Sequence, residues 1–88
     1  MQFDLRSTKR YLEAQSPGLG EDFLKRVQDQ FQHIILYPFT GKALEDGVRK
    51  TGMEKFSYEI YYEVDDEEVF VLAVLHQRRH PDTWKKRL

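Results

Sequence analysis

The chain predicts an α+β fold: an N-terminal helical hairpin packed on one face of a small antiparallel β-sheet of about three strands, with a short C-terminal helix. Three observations predict it. Apolar residues recur every three or four positions through the first part of the chain. Two later stretches, FSYEIYYEV and VFVLAVL, carry strand patterning on either side of an acidic DDEE turn. Helical and strand patterns are segregated along the chain, which is the order of an α+β domain.

The first helix is read over residues 3–15, FDLRSTKRYLEAQ, with Leu5, Thr8, Tyr11 and Leu12 on one side. It ends before Ser16-Pro17-Gly18, because proline cannot continue a helix and disfavours it in the residue before. The second helix starts at Ser16 as cap with Pro17 in its first position, or just after Gly20. Its stripe is Phe23, Leu24, Val27, Phe31, Ile34 and Ile35, and it stops near Tyr37-Pro38. His33 lies beside the stripe and reads as a boundary residue. A short connection makes the two helices an antiparallel hairpin.

Residues 38–47, PFTGKALEDG, read as a loop. Gly41-Lys42 lacks the second glycine and the Ser/Thr of a phosphate loop. A short strand follows at about Val48 to Met53. In the next strand Phe56, Tyr58, Ile60, Tyr62 and Val64 share the face toward the helices, and Ser57, Glu59, Tyr61 and Glu63 share the other. Val69 to Leu75 is apolar on both faces, so it belongs at the centre of the sheet or under cover on both sides. Pro81 opens the final helical turn, which holds Trp84 as a packing anchor and Leu88.

Eighty-eight residues support one domain, 1–88, with one modest core. Apolar content of 40% and charged content of 33% fit a folded, soluble, cytoplasmic protein. No apolar run approaches the ~20 residues of a membrane span, and the N-terminus lacks the apolar block of a secretory signal. The absence of cysteine excludes disulfides and thiolate metal sites. Three scattered histidines do not make a metal site, and no cofactor is expected. The net charge is −1, but residues 59–68 hold six acids and no base, and residues 76–88 hold five Lys/Arg against one Asp. The basic end is the part of the chain that can meet phosphates. Arg49 also has a purely structural reading, as a cross-strand partner of Glu59 or Glu63. His76 has one as a strand-end residue bonded to backbone.

The pieces SPGLGEDFL, YPFTGK, VRK, FSYEIYYEV and VLHQRRHPDTW, in this order and spacing, resemble the RelE/ParE superfamily of toxins from type II toxin–antitoxin modules. The likeness is nearest to the ParE-like, plasmid-stabilisation branch. It covers nearly the whole chain. It implies a RelE-like fold and a growth-arresting toxin neutralised by a cognate antitoxin protein.

Two targets come with the resemblance. RelE-type toxins cut messenger RNA on the ribosome, and the ParE branch poisons DNA gyrase by binding. For an endoribonuclease, the resemblance carries catalytic roles to Arg49, His76 and Arg78. Arg79, Lys85, Lys86 and Arg87 become the groups that hold nucleic acid or target. The C-terminal tyrosine usual among the ribonucleases has no match here; Trp84 stands in that region and cannot transfer a proton. A non-toxic, decayed binding or dimerisation module on the same scaffold is the third reading.

Members of the superfamily begin with a strand that lies beside the last strand, and too few residues precede the first helix here to form one. The expectation is that another chain covers the edge of Val69 to Leu75, either a second copy as a homodimer or a partner segment.

Overall fold

The computed structural model describes residues 5–53, 55–66 and 68–77. Helix α1 runs Arg6–Gln15 and helix α2 runs Leu19–Leu36. Four strands follow, β1 Lys42–Ala43, β2 Val48–Gly52, β3 Tyr58–Asp65 and β4 Glu68–His76, antiparallel throughout in the order β1-β2-β3-β4. The α+β expectation holds, with four strands in place of about three. The added strand is β1, inside the segment read as loop. Its two residues have no periodicity to read; only pairing with Lys50 and Arg49 makes them a strand. The final helical turn, with Trp84 and Leu88, lies outside the described residues.

The helix junction departs from the expected cap. Ser16 closes α1, its N–H donating to Leu12 O, and α2 is entered through Gly18 at φ 86°, a left-handed conformation that suits glycine. No side chain of the α2 N-cap residue satisfies the first-turn amides. Glu13 of α1 supplies that function, accepting from the N–H groups of Gly18 (3.1 Å), Gly20 (2.8 Å) and Glu21 (3.3 Å). A carboxylate at a helix N-terminus meets both the unpaired donors and the favourable end of the dipole. The helices touch where a Cβ on Gly20 would stand 2.5 Å from Lys9 O and 2.7 Å from Glu13 Cγ.

On the helix side of the sheet, Leu12, Phe23, Val27, Ile34, Ile60 and Tyr62 are buried. The expected inward row of β3 is present, but Phe56 precedes the strand and packs in the same cluster. Ile35, expected in the α2 stripe, is 60% exposed: the stripe narrows in the last turn, where only Ile34 faces the sheet. Tyr11 of α1 is likewise exposed. The opposite face is not the open one expected around Tyr61. There Val48, Tyr61, Leu72, Ala73 and Leu75 form a second buried cluster with Leu44 against it. A bulge in β4 produces it. Tyr61 pairs with Ala73 and Tyr62 with Val71, so Leu72 is the extra residue. The bulge lets consecutive Leu72 and Ala73 enter one cluster, while Val69, Val71 and Val74 pack with the helices. The strand apolar on both faces is buried at Leu72, Ala73 and Leu75 but leaves Phe70 45% exposed, and it stands last in the sheet and not at its centre, with no strand on its outer edge among the described residues.

Two outcomes follow from the helix junction. Gly20→Ala should destabilise the chain by about 1–3 kcal/mol in urea unfolding, because the contacting atoms include backbone. The three amides, Gly18 first, hold the Glu13 carboxyl below its ordinary value of 4.5 against a smaller opposing effect of desolvation. A depressed folded-state pKa gives stability that is present above pH ~4.5 and lost as pH falls through the folded value. Stability measured from pH 6 to pH 3 should therefore fall less steeply in Glu13→Gln than in the parent chain.

Candidate functional site: the Arg49 clamp and the loop after the second helix

Cross-strand pairing sets the face of each candidate. Arg49 lies opposite Tyr62, and Lys50 opposite Tyr61, so Arg49 is on the helix side and Lys50 on the other. The acid Glu59 therefore pairs with Lys50, at 3.4 Å. This corrects the expected Arg49–Glu59 or Arg49–Glu63 pair. Arg49 is bound instead to the loop that follows α2. Its Nη1 donates to Gly41 O at 2.9 Å and Phe39 O at 3.2 Å, and its Cζ lies 5.1 Å from the centre of the Phe39 ring. Two carbonyl acceptors and an aromatic face suit a guanidinium, which is planar and always charged.

Tyr62 completes the clamp from below. It is fully buried, its hydroxyl donating to Pro38 O at 2.7 Å and accepting from Gly41 N–H at 3.2 Å. Gly41 admits no side chain, because a Cβ there would overlap Tyr62 Oη and lie 3.0 Å from Lys50 O. Thr40 closes the turn on itself through Tyr37 O. The loop of residues 37–41 is thus fixed by its own backbone groups, while the side chains of Tyr37 and Phe39 stay exposed.

His76 pairs with Tyr58 at the other end of β3, the two rings meeting edge-on with centroids 5.2 Å apart. Tyr58 in turn packs edge-on against Phe23, which does the same against Phe56. Arg49 and His76 share the helix face of the sheet but are separated by two strand spacings of about 4.8 Å and four residues at about 3.3 Å, roughly 16 Å between Cα atoms. The fold does not bring these two candidates together. Arg78, Arg79, Lys85, Lys86 and Arg87 lie outside the described residues. Tyr62 and Phe39 escaped notice as site residues. The segment YPFTGK was visible as a piece of family pattern, but nothing in a sequence says that a buried tyrosine will take up its backbone groups.

The chain matches the family model described as ParE toxin of type II toxin–antitoxin system, parDE, over residues 2–81. It belongs to the ParE toxin family. It is therefore the toxin of a type II toxin–antitoxin module, with an antitoxin as partner. No curated protein matches it. Among the described residues, no helix is long and apolar enough to cross a membrane, and no group of three or more His, Asp or Glu side chains is placed to hold a metal ion.

Two substitutions test the clamp in this ParE-family toxin. Tyr62→Phe leaves the buried Gly41 N–H without its acceptor and should cost about 1–3 kcal/mol in urea unfolding. Arg49→Lys keeps the charge but not the planar group, so it should lower the urea midpoint and raise the amide exchange of residues 39–41. An unchanged midpoint and unchanged exchange would remove Arg49 from the clamp.

Proposed function

We propose that this toxin arrests growth by binding a protein, DNA gyrase, and not by cutting messenger RNA on the ribosome. The observation that supports this reading is the commitment of Arg49. Cleavage of an RNA phosphate needs a base for the 2′-hydroxyl, an acid for the leaving oxygen and cations for the developing charge, all within reach of one phosphate. Arg49 spends both Nη1 donors on Phe39 O and Gly41 O and stacks on Phe39. His76, the described candidate for proton transfer, stands about 16 Å from it across the sheet. In this reading Arg49 acts by holding a contact loop in shape. The same role explains why an arginine stands at that position in a toxin without a ribonuclease site there.

The test is pulse-labelling in the first minutes after induction in a bacterial host, together with a supercoiling assay on purified gyrase. Thymidine incorporation should fall before methionine incorporation, and the purified toxin should inhibit supercoiling. A prior fall in methionine incorporation, with gyrase unaffected, would return the chain to the ribosome-dependent endoribonuclease reading. Arg49→Ala adds a second discrimination. A loop-holding arginine should lose activity in proportion to lost stability, with partial recovery in Arg49→Lys, whereas a catalytic arginine should lose orders of magnitude in both.

A further inference from the structure

The sheet face away from the helices is as dry as the face beneath them. Tyr61 is 2% exposed, Ala73 0%, and Leu72 and Leu75 7% each, in a cluster with Val48 in which no described residue belongs to α1 or α2. An antiparallel sheet packed on one side only turns such positions to water. A tyrosine and two leucines enclosed this deeply have side chains packed over them. From the described residues, the partly buried apolar group that packs here is Leu44, beside Val48. The burial is graded along β4. It is nearly complete from Leu75 to Leu72 and is lost at Phe70, which is 45% exposed and opposite Glu63 on the same face. The cover therefore lies over the end of β4 where the chain leaves it, and stops short of the β3–β4 turn.

That end is where the last stretch of chain begins. Strand β4 closes at His76, and the N–H of Gln77 donates to Ser57 O at 3.0 Å, which keeps the exit point in the plane of the sheet. Residues 78–88, RRHPDTWKKRL, follow. They carry two large apolar groups, Trp84 and Leu88, four residues apart, and five Lys/Arg against one Asp. Seven residues separate Gln77 from Trp84, a reach of about 23 Å when extended, against about 10 Å from Leu75 to Leu72 along the strand. Residues 1–4 lead instead into Leu5, which packs on the helix side with Leu12 and Phe23, and residues 54 and 67 are single positions. Charge favours the same seating. Glu59, Glu63, Asp65 and Glu68 share the face away from the helices with Lys42 and Lys50, so a face with an excess of acid meets a segment with an excess of base.

We infer that residues 78–88 dock on this face, with Trp84 seated over Tyr61, Leu72 and Leu75 and the Lys and Arg head groups at the rim. A tryptophan buries about 200 Å² when enclosed. Basic side chains can lay their stems along an apolar surface while their charges stay in water. The seating has a functional consequence. Arg79, Lys85, Lys86 and Arg87, the groups expected to hold nucleic acid or target, then stand on the side of the sheet opposite Arg49 and serve a different surface. The docking face is also distinct from the outer edge of β4, and the inference holds whether the toxin acts on gyrase or on the ribosome.

Trp84 is the single tryptophan of the chain, so its fluorescence reads the seating directly. In the purified full chain its emission should be blue-shifted from the value in urea, and its acrylamide quenching constant should be several-fold smaller. Tyr61→Ala and Leu75→Ala should each move the emission back toward the urea value while the helical circular dichroism is retained. Val71→Ala, on the helix side, should leave it in place. Nuclear Overhauser contacts in the parent chain, which depend on no variant folding, should join the Trp84 indole to Tyr61, Leu72 and Leu75. Solvent-like emission and quenching in the parent chain overturn the inference, as do indole contacts to α1 or α2. Contacts found only between differently labelled chains in a mixed sample overturn it too, and assign the cover to a second copy. A Trp84 exposed in the chain alone, with Tyr61 and Leu75 protected only on adding antitoxin, overturns it and gives the face to the antitoxin.

Discussion

The structure depends on the complete burial of Tyr62 in the strand that the two sides of the molecule share. Its ring fills the helix side together with Ile34 and Ile60. Its hydroxyl is therefore far from bulk water, and a buried hydroxyl without partners is costly. Pro38 O and Gly41 N–H supply those partners. This one requirement brings the chain leaving α2 down onto the sheet. It makes residue 41 a glycine, and it leaves the Phe39 and Gly41 carbonyls where Arg49 can reach them. Strand β1 then follows from the direction in which the loop is released toward β2.

The helical layer is fastened by a different kind of contact. Glu13 from one helix caps the first turn of the other, and the close approach at Gly20 lets it do so. Further along α2, Gln30 donates to Thr51 of β2 at 3.0 Å. Asp22 accepts from Lys55 in the β2–β3 connection, and that hydrogen bond leads in holding its carboxyl below the usual range. Asp22 also pairs with Arg26 one turn on, at 3.5 Å. These polar contacts are exposed or half-exposed and contribute modestly; the aromatic packing of Phe23 on Phe56 and Tyr58 carries more of the attachment.

A family shared over most of the chain establishes the kind of protein, but its chemistry is decided by where individual groups end up. The charged groups here are distributed between architecture and surface. Arg49 is half built in and half presented. Lys50 and Glu59 neutralise each other on the far face. The acids of the β3–β4 turn and the cation at Lys42 are left to solvent.

Local sequence pattern determined the helical hairpin, the three longer strands and the α+β class. Helix and strand spacings are local properties, and Phe23, Val27, Ile34, Ile60 and Tyr62 are inward as their spacing requires. The order of short segments was enough to recognise a toxin family, and residues 2–81 match it. Other features belonged to tertiary structure. Strand β1 exists only because β2 lies beside it, and the burial of Tyr61 needs the Leu72 bulge, which alternation does not predict. Ile35 is exposed because it lies one step round the helix from Ile34, the residue of that turn that faces the sheet. Arg49 could have met an acid across the strand or a carbonyl across the loop. Its face, fixed by the register with Tyr62, decided for the carbonyls, and register is a property of two strands together, never of one.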